Sequence, residues 1–460
     1  MRKKTTSPSF FLFKRLLKDM ALVTGPQENA AWTALSQWLP PRNPDCDYWW
    51  QLTGRHLTKL LQAAGYSTAK QLEALVFHYH YIVPYLGPAP FSPLIWRSFL
   101  GVEGSPIEYS WKWNTPGGEP EVRYTIEAID DFSGTSLDPL NQRSSRELLH
   151  RIDKVVPSSN LSMANHFFAT LYDHDTSKYV QEAQTGTHHS TTVMIAAEFV
   201  REKNEEYMFK TYFIPRLLGQ TDGQLPLMKW EDSFATLQPV SGARSRVCDF
   251  LTENNVGKSL SPFMLAVDNI SPESSRLKWY FQTLSTSFAS VREVMTLGGR
   301  ITVQDSQLQD LRDLIAATLE LPANYSDDDE VPALTTYDPL AKENFSEFPS
   351  LLSAYLYYFD IPSGADLPAI KIYIPVRRYG RNDLSIAHGV MSWMKARGRG
   401  AYCDQFLSVL ENISQHRQLD TKTGLQAYVS CLFKKDGELD VTSYVGAEAF
   451  DPDRLARNLS

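Results

Sequence analysis

Two short segments of the 460-residue chain decide the fold: PIEYSWKW at residues 106–113 and EVRYTIEAI at residues 121–129. Both are rich in β-branched and aromatic residues, which favour strands, and the intervening NTPGGEP is typical of a turn. The pair is therefore predicted to form a β-hairpin. Further strands of the same character are predicted at residues 193–200, 207–215, 276–283, 369–376 and 425–433.

Helices are predicted before and between these strands. The first covers residues 47–64, with Asp47 as its cap and Gly65 at its end, and the second covers residues 67–79. Helices and hairpins then alternate along the chain, with no linker long enough to separate autonomous domains. Later helices are predicted at residues 306–319 and 385–396, and loops at residues 218–224 and 324–336.

The composition is that of an ordinary folded protein. Hydrophobic residues make up 43% of the chain and charged residues 21%, which excludes a largely disordered polypeptide. The net charge of −8 argues against nucleic acid or an anionic membrane surface as a partner. The four cysteines contain no C-x-x-C pair, so neither a zinc ribbon nor a disulfide framework is predicted, and a cytoplasmic location is expected.

The first residues differ from the remainder of the chain. Residues 1–18 carry six basic residues and no acidic one, a weak resemblance to a transit peptide that is better explained as a frayed basic arm. No apolar run reaches the length of a membrane span. We therefore predict a partly flexible N-terminal arm over residues 1–40 and a single domain over residues 41–460.

Three of the predicted strands repeat a cation followed two residues later by a tyrosine. Residues two apart on a strand face the same side, so each strand presents both groups on one face. A surface ladder of lysine and tyrosine explains any one strand, but three together, with Arg123 in the hairpin, favour a lined cavity. The pattern occurs as Lys210-x-Tyr212, Arg276-x-Lys278-x-Tyr280 and Lys371-x-Tyr373.

Such a cavity suits a compact polyanion with an apolar tail. Several cations can hold a diphosphate, and tyrosine faces attract and shield a carbocation. An allylic diphosphate has both parts, because breaking its C–O bond leaves charge on the departing oxygens and a cation that survives only where water is excluded. The pattern therefore predicts an allylic diphosphate as a ligand.

Glu108 lies on the same strand face as Ser110 and Lys112, with Tyr109 and Trp111 on the other. A carboxylate there can hydrogen-bond an aromatic N–H or O–H and accept the proton released when the ring is alkylated. The alternative is a salt bridge to Lys112 or Arg123, which is the more common role for a single glutamate.

These motifs together resemble the fungal dimethylallyltryptophan synthase family of aromatic prenyltransferases. The resemblance extends over about residues 45–445 and is carried by GSPIEYSWKW, VRYTIEAI, FKTYFIP, SRLKWYF, MTLGGR and KIYIPV in that order. It implies an α+β fold: a single ABBA-type barrel of ten antiparallel strands enclosed by a ring of helices, with the active site in the lumen.

The resemblance also implies roles for individual residues. Glu108 matches the catalytic glutamate, which holds the indole N–H and serves as the base. The diphosphate-binding set is Arg123, Lys210, Arg276, Lys278 and Lys371, and the tyrosine shield is Tyr212, Tyr280, Tyr373, Tyr428 and Tyr444. The acceptor-binding residues are Phe99, Leu100 and Phe263.

Two residues depart from the family pattern. Lys371 replaces a glutamine of several members, which adds a positive charge to the diphosphate site. Phe263 stands about where members that use free tryptophan have an arginine for its carboxylate. This argues against free tryptophan and for a larger or uncharged indole, such as a tryptophan-containing cyclic dipeptide or another indole alkaloid.

No metal site is predicted. The acidic run at residues 327–330 lacks the D-D-x-x-D spacing of magnesium-dependent prenyltransferases, and His78, His80, His188 and His189 have no acidic partner at zinc-site spacing. The run is expected to be a solvated loop. The family is metal-independent, so dimethylallyl diphosphate is expected as a co-substrate and no cofactor as a requirement.

The predicted function is transfer of a dimethylallyl group to an indole by electrophilic aromatic substitution in fungal secondary metabolism. Two alternatives stay open: the same chemistry on an aromatic polyketide, and a non-catalytic barrel that binds an aromatic ligand. The predicted partners are dimethylallyl diphosphate and an aromatic acceptor, without nucleic acid or membrane, and a homodimer stays open.

Overall fold

The structure, a computed structural model of the chain, describes residues 30–92, 96–173, 175, 177–178, 191–201, 207–216, 227–237, 241–334 and 354–458. Ten strands run through these residues. In chain order they are β1 (Ile107–Lys112), β2 (Glu121–Ile126), β3 (Val193–Phe199), β4 (Tyr207–Phe213), β5 (Ser261–Asp268), β6 (Leu277–Thr283), β7 (Tyr355–Ile361), β8 (Ala369–Ile374), β9 (Gln426–Phe433) and β10 (Leu439–Gly446).

The strands close into one barrel in which every neighbouring pair is antiparallel. Each strand pairs with the next along the chain, and β1 also pairs with β10, which places Glu108 opposite Gly446. Closure leaves no strand edge unpaired. The predicted α+β class and the ten-stranded barrel within a ring of helices are confirmed.

The outer face of the barrel is apolar and packs against the helices. Tyr109, Trp111 and Trp279 are fully buried there. The Trp111 ring lies 5.6 Å from that of Phe406, in the helix Cys403–Ile413, and the Trp279 ring stacks at 4.9 Å on that of Phe234. Because side chains alternate along a strand, burial of this face turns the polar alternate residues into the lumen.

The helices lie before, between and after the strand pairs. They are Ala30–Trp38, Pro44–Trp49, Arg55–Ala63, Thr68–Phe77, Arg143–Val155, Ser162–Thr170, Leu227–Ala235, Gly242–Glu253, Asn255–Lys258, Phe288–Met295, Asp305–Leu319, Val376–Tyr379, Asp383–Ala396, Cys403–Ile413 and Pro452–Asn458. Two π-helical turns, Trp50–Gly54 and His78–Ile82, and two 3-10 turns, Val83–Tyr85 and Gly400–Tyr402, complete the set.

The first predicted helix begins earlier than expected. Its cap is Asn43, whose side chain accepts a hydrogen bond from the backbone N–H of Cys46, and the helix starts at Pro44. The prediction of Asp47 as the cap was therefore wrong: Asp47 lies in the first turn, where its charge suits the helix dipole. The second helix is capped by Ser67, whose side chain accepts a hydrogen bond from the backbone N–H of Lys70.

The predicted arm and one predicted loop lie partly or wholly outside the described residues. Of residues 1–40, the structure describes the helix Ala30–Trp38, in which Ala31 and Leu35 are buried in the core. Residues 218–224 are not described. Among the helices that are described, none is long and apolar enough to cross a membrane.

Candidate active site

The lumen-facing residues form three layers along the barrel axis. On β6 they follow one another as Lys278, Tyr280 and Gln282, and on the antiparallel β7 the order reverses to Leu356, Tyr358 and Asp360. We define the charged layer as Arg123, Glu198, Lys210, Asp268, Arg276, Lys278, Asp360 and Lys371. The tyrosine layer is Tyr212, Tyr280, Tyr358, Tyr373, Tyr428 and Tyr444, and the acceptor layer is Phe99, Leu100, Glu108, Thr125, Met194, Phe263, Leu356 and Arg377.

The charged layer contains the five predicted diphosphate-binding cations, the buried carboxylates Asp268 and Asp360, and the partly buried Glu198. Arg276 binds Asp268 at 3.0 Å and Asp360 at 2.9 Å, and Lys278 binds Asp268 at 2.8 Å. Arg123 approaches Glu198 to 3.1 Å, and Lys210 also binds that carboxylate. With five cations and three carboxylates, the layer has a surplus of two positive charges when all of these groups are ionised.

Lys371 differs from the other cations of the charged layer. It is buried, and among the described residues no carboxylate lies within ion-pair distance of it. Its ammonium nitrogen lies 5.4 Å from the centre of the Tyr373 ring. Lys371 therefore connects the charged layer to the tyrosine layer.

Burial and neighbouring charges set the ionisation of the charged layer. Burial, with the charge of Lys210 next in importance, lowers the pKa of Lys278 to about 8, although Asp268 opposes the shift. Burial alone would raise the pKa of Glu198, but Arg123 and Lys210 hold it well below its usual range. Glu198 is therefore ionised at neutral pH, and the ammonium group of Lys278 loses its proton near pH 8.

The tyrosine layer surrounds the middle of the lumen. Ring centres lie 6.0 Å apart between Tyr212 and Tyr280, 6.0 Å between Tyr280 and Tyr373, and 5.6 Å between Tyr373 and Tyr444. Tyr428 meets Tyr373 edge to face at 6.2 Å. The five tyrosines predicted as a shield are thus one contiguous cluster.

Tyr358 is a sixth tyrosine in this layer that the sequence analysis missed. Its ring lies 5.1 Å from that of Tyr280 and 6.0 Å from that of Tyr373. Burial raises the pKa of Tyr358 well above 10, so the ring is neutral and electron-rich without being anionic. The signal that could have identified it is its spacing two residues before Asp360. A tyrosine and a charged residue thus share one face of β7, as they do on β4 and β8, although here the tyrosine comes first and the charge is negative.

The acceptor layer lines a cavity together with five of the six tyrosines, all but Tyr358. Phe99, Leu100 and Phe263, the predicted acceptor-binding residues, all lie on its wall. The Phe99 and Phe263 rings are tilted against each other at 6.1 Å. Phe263 sits at an irregularity of the β5–β6 register between Pro262 and Met264, which turns its ring toward the cavity.

Glu108 lies on the wall of the same cavity and is 8% exposed. Burial raises its pKa to about 8, and the charge of Arg377 opposes the shift. Neither alternative salt bridge forms, since Lys112 binds Glu121 and Asp440 and Arg123 binds Glu121 and Glu198. Glu108 is therefore a buried carboxyl group of raised pKa that faces the cavity.

Arg377 is the cation of the acceptor layer, and the sequence analysis missed it. It follows β8 in the short helix Val376–Tyr379 and is 2% exposed. Its guanidinium donates a hydrogen bond of 2.8 Å to the Tyr428 hydroxyl and lies 4.7 Å from the centre of that ring. The sequence signal that could have identified Arg377 is its position directly after the strand motif KIYIPV.

The acidic run at residues 327–330 lies away from the lumen cavity. Asp328 and Asp329 are exposed, and Asp327 forms ion pairs with Arg292 at 3.2 Å and Arg312 at 2.7 Å. Among the described residues, ligand atoms close enough to share a metal ion occur in His416, Glu448 and Asp451, and Glu448 is also bound by the guanidinium of Arg417. Neither group lines the lumen cavity.

Comparison with known proteins agrees with this architecture. The sequence model of the tryptophan dimethylallyltransferase family matches residues 45–409. The chain belongs to this family. It is 57% identical over 441 residues to the prenyltransferase anuH of Penicillium roqueforti, covering 95% of this chain and 97% of the relative. It is 46% identical over 447 residues to xanthone prenyltransferase B of Emericella nidulans, covering 96% of each.

Solved structures share the fold at lower sequence identity. AnaPT of Neosartorya fischeri superposes with a TM-score of 0.75 at 24% identity, over 91% of this chain and 97% of that one. NotF in complex with brevianamide F and DMSPP gives 0.73 at 20%, over 91% and 99%. The predicted family, barrel and enzyme class are confirmed, and the protein is an aromatic prenyltransferase.

Proposed function

We propose that this enzyme transfers a dimethylallyl group from dimethylallyl diphosphate to a ring carbon of a hydroxylated aromatic polyketide. The observation that carries the choice of acceptor is that Glu108 and Arg377 both lie on the wall of the same cavity. A phenol ortho to a carbonyl offers a hydrogen-bond donor for the carboxylate and an acceptor for the guanidinium. An indole offers only the N–H donor, so it leaves Arg377 without a role in recognition.

The relatives support the same choice. Two of them, xanthone prenyltransferases A and B of Emericella nidulans, are 44% and 46% identical to this chain. AnaPT and NotF are 24% and 20% identical, a level at which the likeness extends to the fold and not to the acceptor. The alternative acceptor of the sequence analysis, an aromatic polyketide, is therefore preferred here to the indole.

The donor is held at the charged layer. Its diphosphate oxygens accept hydrogen bonds from Lys210, Arg276, Lys278 and Lys371, with Arg123 beside them, and the surplus of positive charge compensates the polyanion. The carboxylates Asp268 and Asp360 hold Arg276 in place before the donor arrives. No divalent ion is required in this scheme, because the cations carry out the neutralisation.

The reaction then proceeds across the tyrosine layer. The C–O bond of the donor breaks and its electron pair leaves with the diphosphate, while the tyrosine faces stabilise the allylic cation and exclude water. A π-electron pair of the acceptor ring forms the new C–C bond. Glu108 accepts the proton from the attacked carbon, and the electrons of that C–H bond restore aromaticity.

The proposal is tested by incubating the purified full-length chain with dimethylallyl diphosphate and a panel of acceptors, read by mass spectrometry. The panel contains a hydroxyxanthone, a hydroxynaphthalene, L-tryptophan and a tryptophan-containing cyclic dipeptide. We expect the highest kcat/KM with one of the hydroxylated aromatics. A higher kcat/KM for the cyclic dipeptide than for both would overturn the acceptor class, and no product with any acceptor would overturn the reaction.

A further inference from the structure

Glu127 is a buried carboxylate just beyond the end of β2, and it does not line the lumen cavity. It is 0% exposed. Its Oε1 accepts hydrogen bonds from Trp96 Nε1 at 2.7 Å and Asn141 Nδ2 at 2.9 Å, and its Oε2 accepts one from Thr191 Oγ1 at 2.6 Å. The Ser98 hydroxyl also hydrogen-bonds to it. Four neutral donors thus converge on one side chain.

The four donors come from three places in the chain. Trp96 and Ser98 belong to the segment 96–100, whose end supplies Phe99 and Leu100 to the cavity wall. Thr191 precedes β3, and Asn141 precedes the helix Arg143–Val155. Glu127 therefore joins the segment that carries part of the acceptor wall to the barrel and its surrounding helices.

Thr191 extends this connection to the wall itself. Its hydroxyl donates to Glu127 and accepts a hydrogen bond of 3.1 Å from the backbone N–H of Phe99. The Leu100 N–H is bound by the Ser98 hydroxyl at 3.3 Å. Both backbone N–H groups of the wall are thus held by hydroxyls that themselves contact Glu127.

Burying a carboxylate that has no cationic partner is energetically unfavourable. Among the described residues none forms a salt bridge with Glu127, and burial raises its pKa to about 7 against the four hydrogen bonds that favour ionisation. An apolar side chain of similar size would be cheaper to bury, but it could not accept four bonds in fixed directions. What Glu127 provides, and an apolar side chain does not, is a fixed position for the four groups that donate hydrogen bonds to it.

We propose that Glu127 is a positioning residue for the aromatic acceptor, holding segment 96–100 so that Phe99 and Leu100 form a rigid wall of the cavity. The proposal rests on the proposed function, because it assigns a role in prenyl transfer. The donor site is separate, since the charged layer contains neither Glu127 nor any of its hydrogen-bond partners. Loss of Glu127 should therefore affect the acceptor and spare the donor.

The test uses Glu127→Gln and Thr191→Val. The glutamine keeps the size but offers two donors in place of one acceptor oxygen, which disrupts the bonds to Thr191 and Ser98. The valine removes the hydroxyl that links Glu127 to Phe99. We expect each to raise the acceptor KM about tenfold, the scale of one or two lost hydrogen bonds, with the KM for dimethylallyl diphosphate within about twofold of wild type.

Thr211→Val is the matched control. Thr211 is equally buried and its hydroxyl hydrogen-bonds to the Asn269 side chain at 3.0 Å, but it lies on the outer face of β4. Thr211→Val removes the same kind of group as Thr191→Val, a buried threonine hydroxyl. It should lower Tm without changing the acceptor KM. Thr191→Ser keeps the hydroxyl and should restore wild-type behaviour, and Glu127→Gln with Thr191→Val should cost no more than either alone.

Hydrogen exchange gives a readout that does not need turnover. Faster exchange of the Phe99 amide in Glu127→Gln, with no change in Thr211→Val, is expected. Unchanged exchange and an unchanged acceptor KM in Glu127→Gln would overturn the proposal, as would an equal rise in both substrate KM values. If wild-type enzyme forms no prenylated product, the proposed function fails, whereas an active wild type with an unaffected Glu127→Gln refutes only the role of Glu127.

Discussion

Glu108 and Arg377 line one cavity, and the positive charge of Arg377 works against the rise in pKa that burial imposes on Glu108. The carboxyl therefore has a pKa of about 8. A base must be ionised to accept a proton, and an allylic cation forming nearby favours the ionised form. In the proposed reaction, the ionised form of Glu108 accepts the proton that the attacked ring carbon releases.

This arrangement predicts the pH dependence of acceptor turnover. Because the pKa of Glu108 is raised from 4.5 to about 8, its basic form increases as pH rises through about 8. With the donor saturating, kcat/KM for the acceptor should rise from pH 6 through pH 8 and level off only well above the pKa of Glu108. A flat profile over that range would contradict the assignment of Glu108 as the base.

Replacing Glu108 by glutamine should lower kcat on the order of a hundredfold or more, because the amide keeps the shape and removes the proton acceptor. Glu121→Gln is the control, since Glu121 is a more exposed carboxylate at the other end of the hairpin, bound to Lys112 and Arg123. It should retain most of the acceptor turnover. Near-normal product formation by Glu108→Gln would make Glu108 a structural residue.

The same substitution should stabilise the fold at alkaline pH. The native carboxyl holds its proton up to a pKa of about 8, and an unfolded glutamate loses it near 4.5. Between these values the native state binds more protons, so this group makes the wild type less stable as pH rises. The Tm of Glu108→Gln relative to wild type, measured by calorimetry, should increase from pH 5 to 8. A constant Tm difference would indicate an unshifted pKa.

The fold could be predicted as far as the hairpin and the strands that show a clear pattern. β5, β7 and β10 escaped individual prediction for a physical reason. All seven residues of β7 are buried, because one face meets the helices and the other lies in an enclosed lumen, so polar and apolar residues do not alternate. β5 contains Pro262, and β10 carries Thr442 and Ser443, which reduce the apolar signal.

The site could be predicted where a motif repeated within one strand. The spacing of cation and tyrosine identified four of the five cations and three of the six tyrosines, whereas Tyr428 and Tyr444 followed only from the family resemblance. Glu198, Asp268 and Asp360 could not be found in this way, since their partners lie on neighbouring strands and only the register brings them together. Arg377 also depends on the tertiary fold, because it reaches the cavity from a four-residue helix after β8.

The charged layer predicts a donor-specific defect for Lys278→Met. Lys278 is 4% exposed and bound to Asp268, which Arg276 continues to hold in the variant. Loss of one charged contact should raise the KM for dimethylallyl diphosphate by about tenfold or more and leave the acceptor KM nearly unchanged. Lys112→Met is the control, because it removes a lysine that lies outside the charged layer. It should change neither the KM for dimethylallyl diphosphate nor the acceptor KM by much.

Lys278 also predicts how donor binding depends on pH. Its pKa is lowered from 10.5 to about 8, so the ammonium form decreases as pH rises above 8. The dissociation constant of inorganic diphosphate, measured by calorimetry, should increase from pH 7.5 to 9.5 and more weakly so in Lys278→Met. Binding that is independent of pH in the wild type would contradict the lowered pKa.

Chelation should not abolish turnover. The proposed partners of the diphosphate are lysine and arginine side chains, which neutralise it without a metal ion. Product formation should therefore persist in excess EDTA, and a modest stimulation by Mg²⁺ is compatible with assistance to diphosphate release. Complete loss of activity in EDTA that only Mg²⁺ restores would refute this view of the charged layer.

Phe263 predicts which acceptors are rejected. Its ring is 5% exposed on the cavity wall and packs against Phe99, so position 263 itself offers no cation for a free carboxylate. Burying an ionised carboxylate without a partner is costly, and an uncharged hydroxylated aromatic avoids that cost. L-tryptophan should consequently be a poor acceptor. Phe263→Arg should raise its kcat/KM relative to that of the hydroxyxanthone, whereas Phe263→Leu, which opens space without adding charge, should not.

If L-tryptophan gives the highest kcat/KM with the wild type, Phe263 does not control the acceptor. An equal gain in the arginine and leucine variants would assign the effect to cavity size and not to charge.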